Sequence, residues 1–161
     1  MVDFEDNSIP ILNEELRQMR EESESTDTTV DALDVRVTAL ESTWTDYGAT
    51  STIVGWSTLE IKQICVKKVG TTVYVMYYLD GSVSNSTTIT FTLPYNASTT
   101  CSAIRSSIPW AYDNGAIKLT SGAAHLTASS NVVTCYSQAN QLGWTAANRK
   151  VVGGQFNYES E

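Results

Sequence analysis

Along the first quarter of the chain, apolar residues recur at helical spacing in a polar background. Ile9, Ile11, Leu12, Leu16 and Met19 come first, then Val30, Leu33, Val37, Leu40 and Trp44. The second group alternates between a and d of a heptad. Counting back keeps Leu12, Leu16, Met19, Ser23 and Thr26 in register, so two polar positions interrupt the seam. Pro10 suits a first helical position. The polar run Glu22–Thr29 predicts a break or weak joint, and Thr28 with Asp31 resembles a capping box ahead of a second helix over about 29–43. A helix of this length is marginal alone in water, so an apolar seam on it asks for a partner.

After Trp44 the period changes from helical to alternating. Val73, Val75, Tyr77 and Leu79 share one strand face, with Asp80-Gly81 as a turn; Ile89, Phe91 and Leu93 share another, ending at Pro94. Further strands are expected near Leu59–Lys68, Ala116–Leu119, Val132–Tyr136 and Lys150–Tyr158. Many short strands at this spacing predict a β-sandwich or jelly roll. Tyr74, Met76 and Tyr78 make the 73–79 strand apolar on its second face too, which points to burial against a neighbouring subunit. The expected organisation is an amino-terminal segment over 1–22, a stalk over 23–44 and a β knob over 45–161.

Around the seam, Arg36 takes g and Glu41 takes e, where a guanidinium reaches the carboxylate of a neighbouring chain and its stem covers the apolar layer. Arg-apolar-x-x-apolar-Glu resembles the short trimerisation motif of three-stranded coiled coils. Val30, Leu33, Arg36, Val37, Leu40, Glu41 and Trp44 are therefore the expected trimerisation residues of a homotrimer.

Charge divides the chain at the same place. Residues 1–43 hold twelve acids and three bases, net −9, whereas residues 44–161 hold six acids and seven bases, net +1. Phosphates repel so acidic an arm, which argues against nucleic acid or an anionic bilayer as partner. Met1 is not followed by a basic and then an apolar region, and no run reaches the roughly 20 apolar residues of a membrane span. Synthesis in a cytoplasm without membrane insertion is the expectation. Three cysteines, Cys65, Cys101 and Cys135, are odd in number and lack a CxxC pair. They read as reduced, buried small residues.

The blocks Val66-Lys67-Lys68-Val69-Gly70-Thr71-Thr72-Val73-Tyr74-Val75, Gly81, Phe91-Thr92-Leu93-Pro94-Tyr95 and Tyr112-Asp113-Asn114-Gly115 resemble the terminal domain of bacteriophage fibre proteins. So do Trp144-Thr145-Ala146-Ala147 and Gly153-Gly154-Gln155-Phe156-Asn157-Tyr158-Glu159. One departure is Asn148-Arg149, where relatives often carry a turn with glycine. The resemblance implies a β-sandwich tip on a trimeric stalk, made in the host bacterial cytoplasm and mounted on the virion. A chain this short suits a head fibre better than a whole tail fibre. The anchor to capsid or tail proteins is then expected in Ile9, Ile11, Leu12, Leu16 and Met19. A tail fibre that binds a receptor, a ligand-free capsid decoration and a small polysaccharide hydrolase stay as alternatives.

Candidate chemistry is sparse. His125 is the one histidine, read as a surface or turn residue with no second ligand for zinc. No P-loop, G-x-S-x-G or G-x-G-x-x-G motif occurs, so neither an enzyme nor a cofactor is expected. Asn85-Ser86-Thr87 and Asn96-Ala97-Ser98 match the glycosylation pattern but lack a secretory route. Trp110, Tyr112, Asp113 and Asn114 gather around an Asn-Gly turn, and Trp144 sits in another polar loop. Rings beside amides and carboxylates stack on and hydrogen-bond sugars, which makes these five the candidate contacts to a host surface glycan. The competing reading is core or intersubunit packing.

Overall fold

The computed structural model describes residues 8–40, 43–100, 104–118, 121–138 and 140–161, with helix side chains described for 14–33. The chain is mainly β with one amino-terminal helix, and it divides into two compact units, Met1–Glu41 and Ser42–Glu161.

Helix α1 runs from Ser8 to Leu40 without interruption. Pro10 falls in its first turn, where a missing N–H loses no intrahelical bond. Arg17 bridges Glu14 and Glu21 at the i−3 and i+4 positions. The joint expected over 22–29 does not form. The Ser/Thr hydroxyls that compete with backbone in a free chain here bond back to it: Thr26 Oγ1 donates to the Glu22 carbonyl at 2.8 Å, and Thr29 Oγ1 to that of Ser25 at 2.9 Å. Thr28 likewise donates to the Ser25 carbonyl at 2.8 Å from inside the helix, so it does not cap a second one. Leu16, Met19, Val30 and Leu33 are each more than half exposed. The side chains of Ile9, Ile11, Leu12, Arg36, Val37 and Leu40 lie outside the described residues, as do Glu41 and Cys101.

The β unit contains β1 (Thr45–Asp46), β2 (Ile53–Val54), β3 (Trp56–Thr58), β4 (Ile61–Val69), β5 (Thr72–Gly81), β6 (Val83–Ser84) and β7 (Ile89–Thr92). It continues with β8 (Ile104–Ile108), β9 (Trp110–Asp113), β10 (Ala116–Ile117), β11 (Gly122–Leu126), β12 (Val132–Tyr136) and β13 (Lys150–Glu159). A six-stranded sheet has the order β1-β4-β5-β13-β9-β10, and a five-stranded sheet the order β2-β7-β12-β11-β8; β3 and β6 pair separately. The pairings between strands are antiparallel.

One core joins the two sheets in a sandwich-like arrangement. Ile64, Val66, Val73, Val75, Leu79 and Val152 come from the first, and Ile89, Phe91, Ile108, Leu126, Val133 and Cys135 from the second. The Tyr77 and Phe91 rings meet across it at 4.9 Å. At roughly 1.5–3 kcal/mol per fully buried large apolar side chain, this cluster is the main stabilising term of the unit.

Asp80 and Gly81 do not turn the chain; they complete β5. A Cβ on Gly81 would collide with the Trp56 ring and the Thr58 carbonyl, so the glycine serves a close approach. The Asn114-Gly115 turn forms as expected, with φ of 54° and 79° closing a two-residue hairpin between β9 and β10. At the departure from the fibre pattern, Asn148 takes φ 56°, the left-handed conformation a glycine would otherwise supply.

Candidate interaction face

Alternation along β5 sends Val73, Val75, Tyr77 and Leu79 inward and Tyr74, Met76 and Tyr78 outward. Strand register extends the outer row across neighbouring strands. Cys65 of β4 lies opposite Met76, and Gln155 and Asn157 of β13 lie opposite Met76 and Tyr74. Tyr74 and Met76 are 43% and 40% exposed, where an ordinary solvated sheet face would carry Thr, Lys or Glu. They line an open depression of about 310 Å³ with Trp44, Gln155 and Asn157. A second depression, about 230 Å³, adjoins it through Met76 and is lined by Gln63, Cys65 and Tyr78.

Further along the same face, the Tyr78 and Trp110 rings stack at 6.1 Å and 9°. Gly153 lies in register between them, and a Cβ there would come within 3.1 Å of the Tyr78 ring. Beyond the stack, the Arg149 guanidinium sits 5.5 Å over the Tyr112 ring and reaches Asp80. That carboxylate holds the Arg149 pKa above its usual value.

The five candidate glycan residues therefore separate. Trp110 is exposed, Tyr112 half-buried beneath Arg149, and Asn114 exposed at its turn, where its Oδ1 accepts from Asn148 Nδ2 at 2.6 Å. Asp113 is buried. It accepts from the Thr145 N–H at 3.2 Å and the Thr145 hydroxyl at 3.1 Å, and it pairs with Lys118 at 3.2 Å. Trp144 is not a loop ring open to a sugar. It is 3% exposed, and its Nε1 donates to the Cys135 carbonyl at 2.7 Å. Both residues tie the 141–149 segment to the core, which accounts for their polar surroundings in sequence.

His125 lies on β11 rather than in a turn, with Nε2 buried and without a partner. Cys65 and Cys135 are free thiols, and burial pushes Cys135 up to about 12. Among the described residues no group of three His, Cys, Asp or Glu could hold a metal ion, and no helix is long and apolar enough to cross a membrane. Sequence reading missed Cys65, Gln155 and Asn157 as members of the outer face. The signal was present in Gln155-Phe156-Asn157-Tyr158, whose polar residues alternate with ring residues.

Fold and face together define a mainly β module carrying an amphipathic helix and an apolar, aromatic-rich sheet surface. No protein-family model matches the chain, and no curated protein matches it in sequence.

Proposed function

We propose that the chain is one subunit of a homotrimeric bacteriophage fibre, in the first instance a head fibre, with α1 as a three-stranded stalk and the β unit as its tip. The observation that carries this reading is the exposure of the seam: Leu16, Met19, Val30 and Leu33 hold a and d spacing on one helix and stay more than half exposed. Parallel copies of the helix bury such a stripe without any other partner. At about 1.5 Å per residue, a helix of this length gives a stalk of roughly 50 Å.

The tip is read as non-enzymatic. Of its acids, Asp80, Asp113 and Glu159 are engaged by Arg149, Lys118 and the Thr71 and Thr72 hydroxyls, and Asp46 by the backbone N–H groups of Gly48 and Ile64. A pair of free, facing carboxylates, which glycoside cleavage requires, is not what those contacts provide. Contact with host glycan is the role given to Trp110, with Tyr112 and Asn114 beside it, since Trp110 presents an open ring backed by Tyr78. The same stalk and tip would serve a tail fibre.

Light scattering of the full chain tests the assembly: a mass about three times 17.6 kDa is expected, and a monomer at micromolar concentration overturns it. Antibody labelling of purified particles in the electron microscope tests the location, with label expected on the capsid.

A further inference from the structure

We propose that the centre of the stalk is an electrostatic release: around Ser23 and Thr26 the Glu22 carboxylate of one chain faces Asp27 of the next, so that ionic strength governs how tightly the three helices close. This rests on the trimeric reading above and names what regulates that assembly.

Heptad position decides which charges flank the seam. Leu16, Ser23 and Val30 take a, and Met19, Thr26 and Leu33 take d. The g positions then fall on Glu15, Glu22 and Thr29, and the e positions on Arg20 and Asp27. In a parallel coil each g residue meets the e residue of the following heptad on a neighbouring chain. Glu15 meets Arg20, an attractive pair, and Arg36 meets Glu41 in the same way by sequence register alone. Between these two, Glu22 meets Asp27, and the carboxylates repel.

The single helix leaves these groups available. Arg17, at b on the outer side, is spent within its own helix on Glu14 and Glu21. Glu15, Arg20, Glu22 and Asp27 are exposed and make no ion pair among the described residues. Ser23 and Thr26 also stand where two apolar layers would, between Met19 and Val30. The segment with the repelling pair is therefore the one with the least apolar area to bury.

The repulsion reaches beyond that pair. Residues 21–35 hold Glu21, Glu22, Glu24, Asp27, Asp31 and Asp34 and no base. Three such runs side by side set like charges against one another over a range that salt controls, since the screening length is about 30 Å at 0.01 M and about 3 Å at 1 M. Salt weakens the two flanking attractive pairs as well, but exposed pairs of that kind contribute little. Rising ionic strength therefore tightens the stalk, the reverse of a coil held by complementary e and g charges.

Sedimentation equilibrium of the full chain in 10 mM and 1 M NaCl reads the concentration at which the trimer half-dissociates. The melting temperature of the helix signal at 222 nm, taken in the same buffers, gives the same ranking where the trimer persists at every concentration. Wild type is expected to need about tenfold more protein at 10 mM than at 1 M, where screening is nearly complete. Glu22→Gln with Asp27→Asn, which keeps size while removing both charges, is expected to bring the low-salt value to that of wild type in 1 M NaCl. Glu24→Gln with Asp31→Asn takes the same charge from b positions on the outer side and is expected to recover less than half of the response. A trimer whose stability is independent of salt or falls with it overturns the release and leaves the trimer standing. So does a Glu22, Asp27 variant that keeps the full salt response, or an outer-side variant that acts as strongly. A monomer at both ionic strengths removes the trimeric reading and this one together.

Discussion

Arg149 grips Asp80 with two parallel hydrogen bonds, Nε to Oδ1 at 3.0 Å and Nη2 to Oδ2 at 2.7 Å. The carboxylate is almost wholly buried at the end of β5 and the guanidinium half exposed in the segment that leads into β13. This fork fixes the chain just before it enters the centre of the six-stranded sheet, and Tyr112 stacks beneath it. Because the forked geometry is peculiar to guanidinium, Arg149→Lys is expected to lower stability only modestly, since solvent screens the exposed partner. Urea unfolding of the two proteins checks this. Asp80→Ala, which leaves no buried anion behind, should cost no more than Arg149→Ala.

Tyr158 and Tyr77 should respond oppositely to loss of their hydroxyls. Tyr158 donates to the Tyr95 carbonyl at 2.8 Å, whereas the buried Tyr77 hydroxyl has only the Cys135 thiol beside it. Tyr158→Phe is expected to cost about 1 kcal/mol, and Tyr77→Phe to be neutral or stabilising, since it removes a desolvated polar group that only a weak thiol contact compensates. Thermal melts of the two variants decide it, and a large loss for Tyr77→Phe would mean the hydroxyl has a stronger partner.

The same two residues set an alkaline limit. Burial holds both phenols above their usual range. A group whose pKa is raised in the folded state contributes stability that is complete below the unfolded value, near 10, and is lost as pH rises through the folded one. Unfolding free energy measured between pH 8 and 11 should fall beyond about 10, and less steeply in either Phe variant.

In α1, Ser23 and Thr26 are the polar members of the heptad pattern and lie inside an unbroken helix. Ser23→Ile with Thr26→Leu is expected to raise the helix melting temperature followed at 222 nm, because the substitutions complete the a/d stripe. A lower melting temperature would indicate that a bend at this point is required.

Deleting residues 1–20 removes Ile9, Ile11, Leu12, Leu16 and Met19 while leaving Val30 through Leu40. On the fibre reading proposed above, the expected product is a folded trimer that no longer enters particles. Wild-type copy number on purified virions would place attachment in the remaining stalk or in the tip.

Alternation made β12 and β13 legible from sequence almost to the residue, since Val132–Tyr136 and Lys150–Tyr158 put strong strand formers at period two. β11 escaped notice because Gly122-Ala123-Ala124-His125-Leu126 has small residues of little strand preference; tertiary packing between β8 and β12 imposes its conformation. β9 was hidden by its chemistry. Trp110, Tyr112 and Asp113 suggest a ligand turn, but β13 pairs with this segment and Asp113 is consumed by Thr145 and Lys118. Trp144 misled for a similar reason, as its hydrogen bond to Cys135 spans a loop that composition marks as solvated. The polar run at Ser23–Thr29 signalled a break because Ser and Thr hydroxyls compete for backbone groups, and that same competition is satisfied inside the helix.

The position of β13 has a consequence for synthesis. It follows all the other strands in the chain, yet it lies in the middle of the six-stranded sheet, paired with β5 from Thr72↔Glu159 to Gly81↔Lys150 and with β9 on its other side. On a ribosome, β5 and β9 therefore emerge and wait with open edges for their shared partner, for roughly 4–14 s after Gly81 at ordinary elongation rates. Open strand edges are sites of mispairing between neighbouring chains, whereas α1 has already left the exit tunnel and depends only on local bonds. A polysome making this protein thus holds helices beside unfinished sheets, and a transcript cut short before Lys150 yields chains that keep α1 but lack the middle strand of the larger sheet.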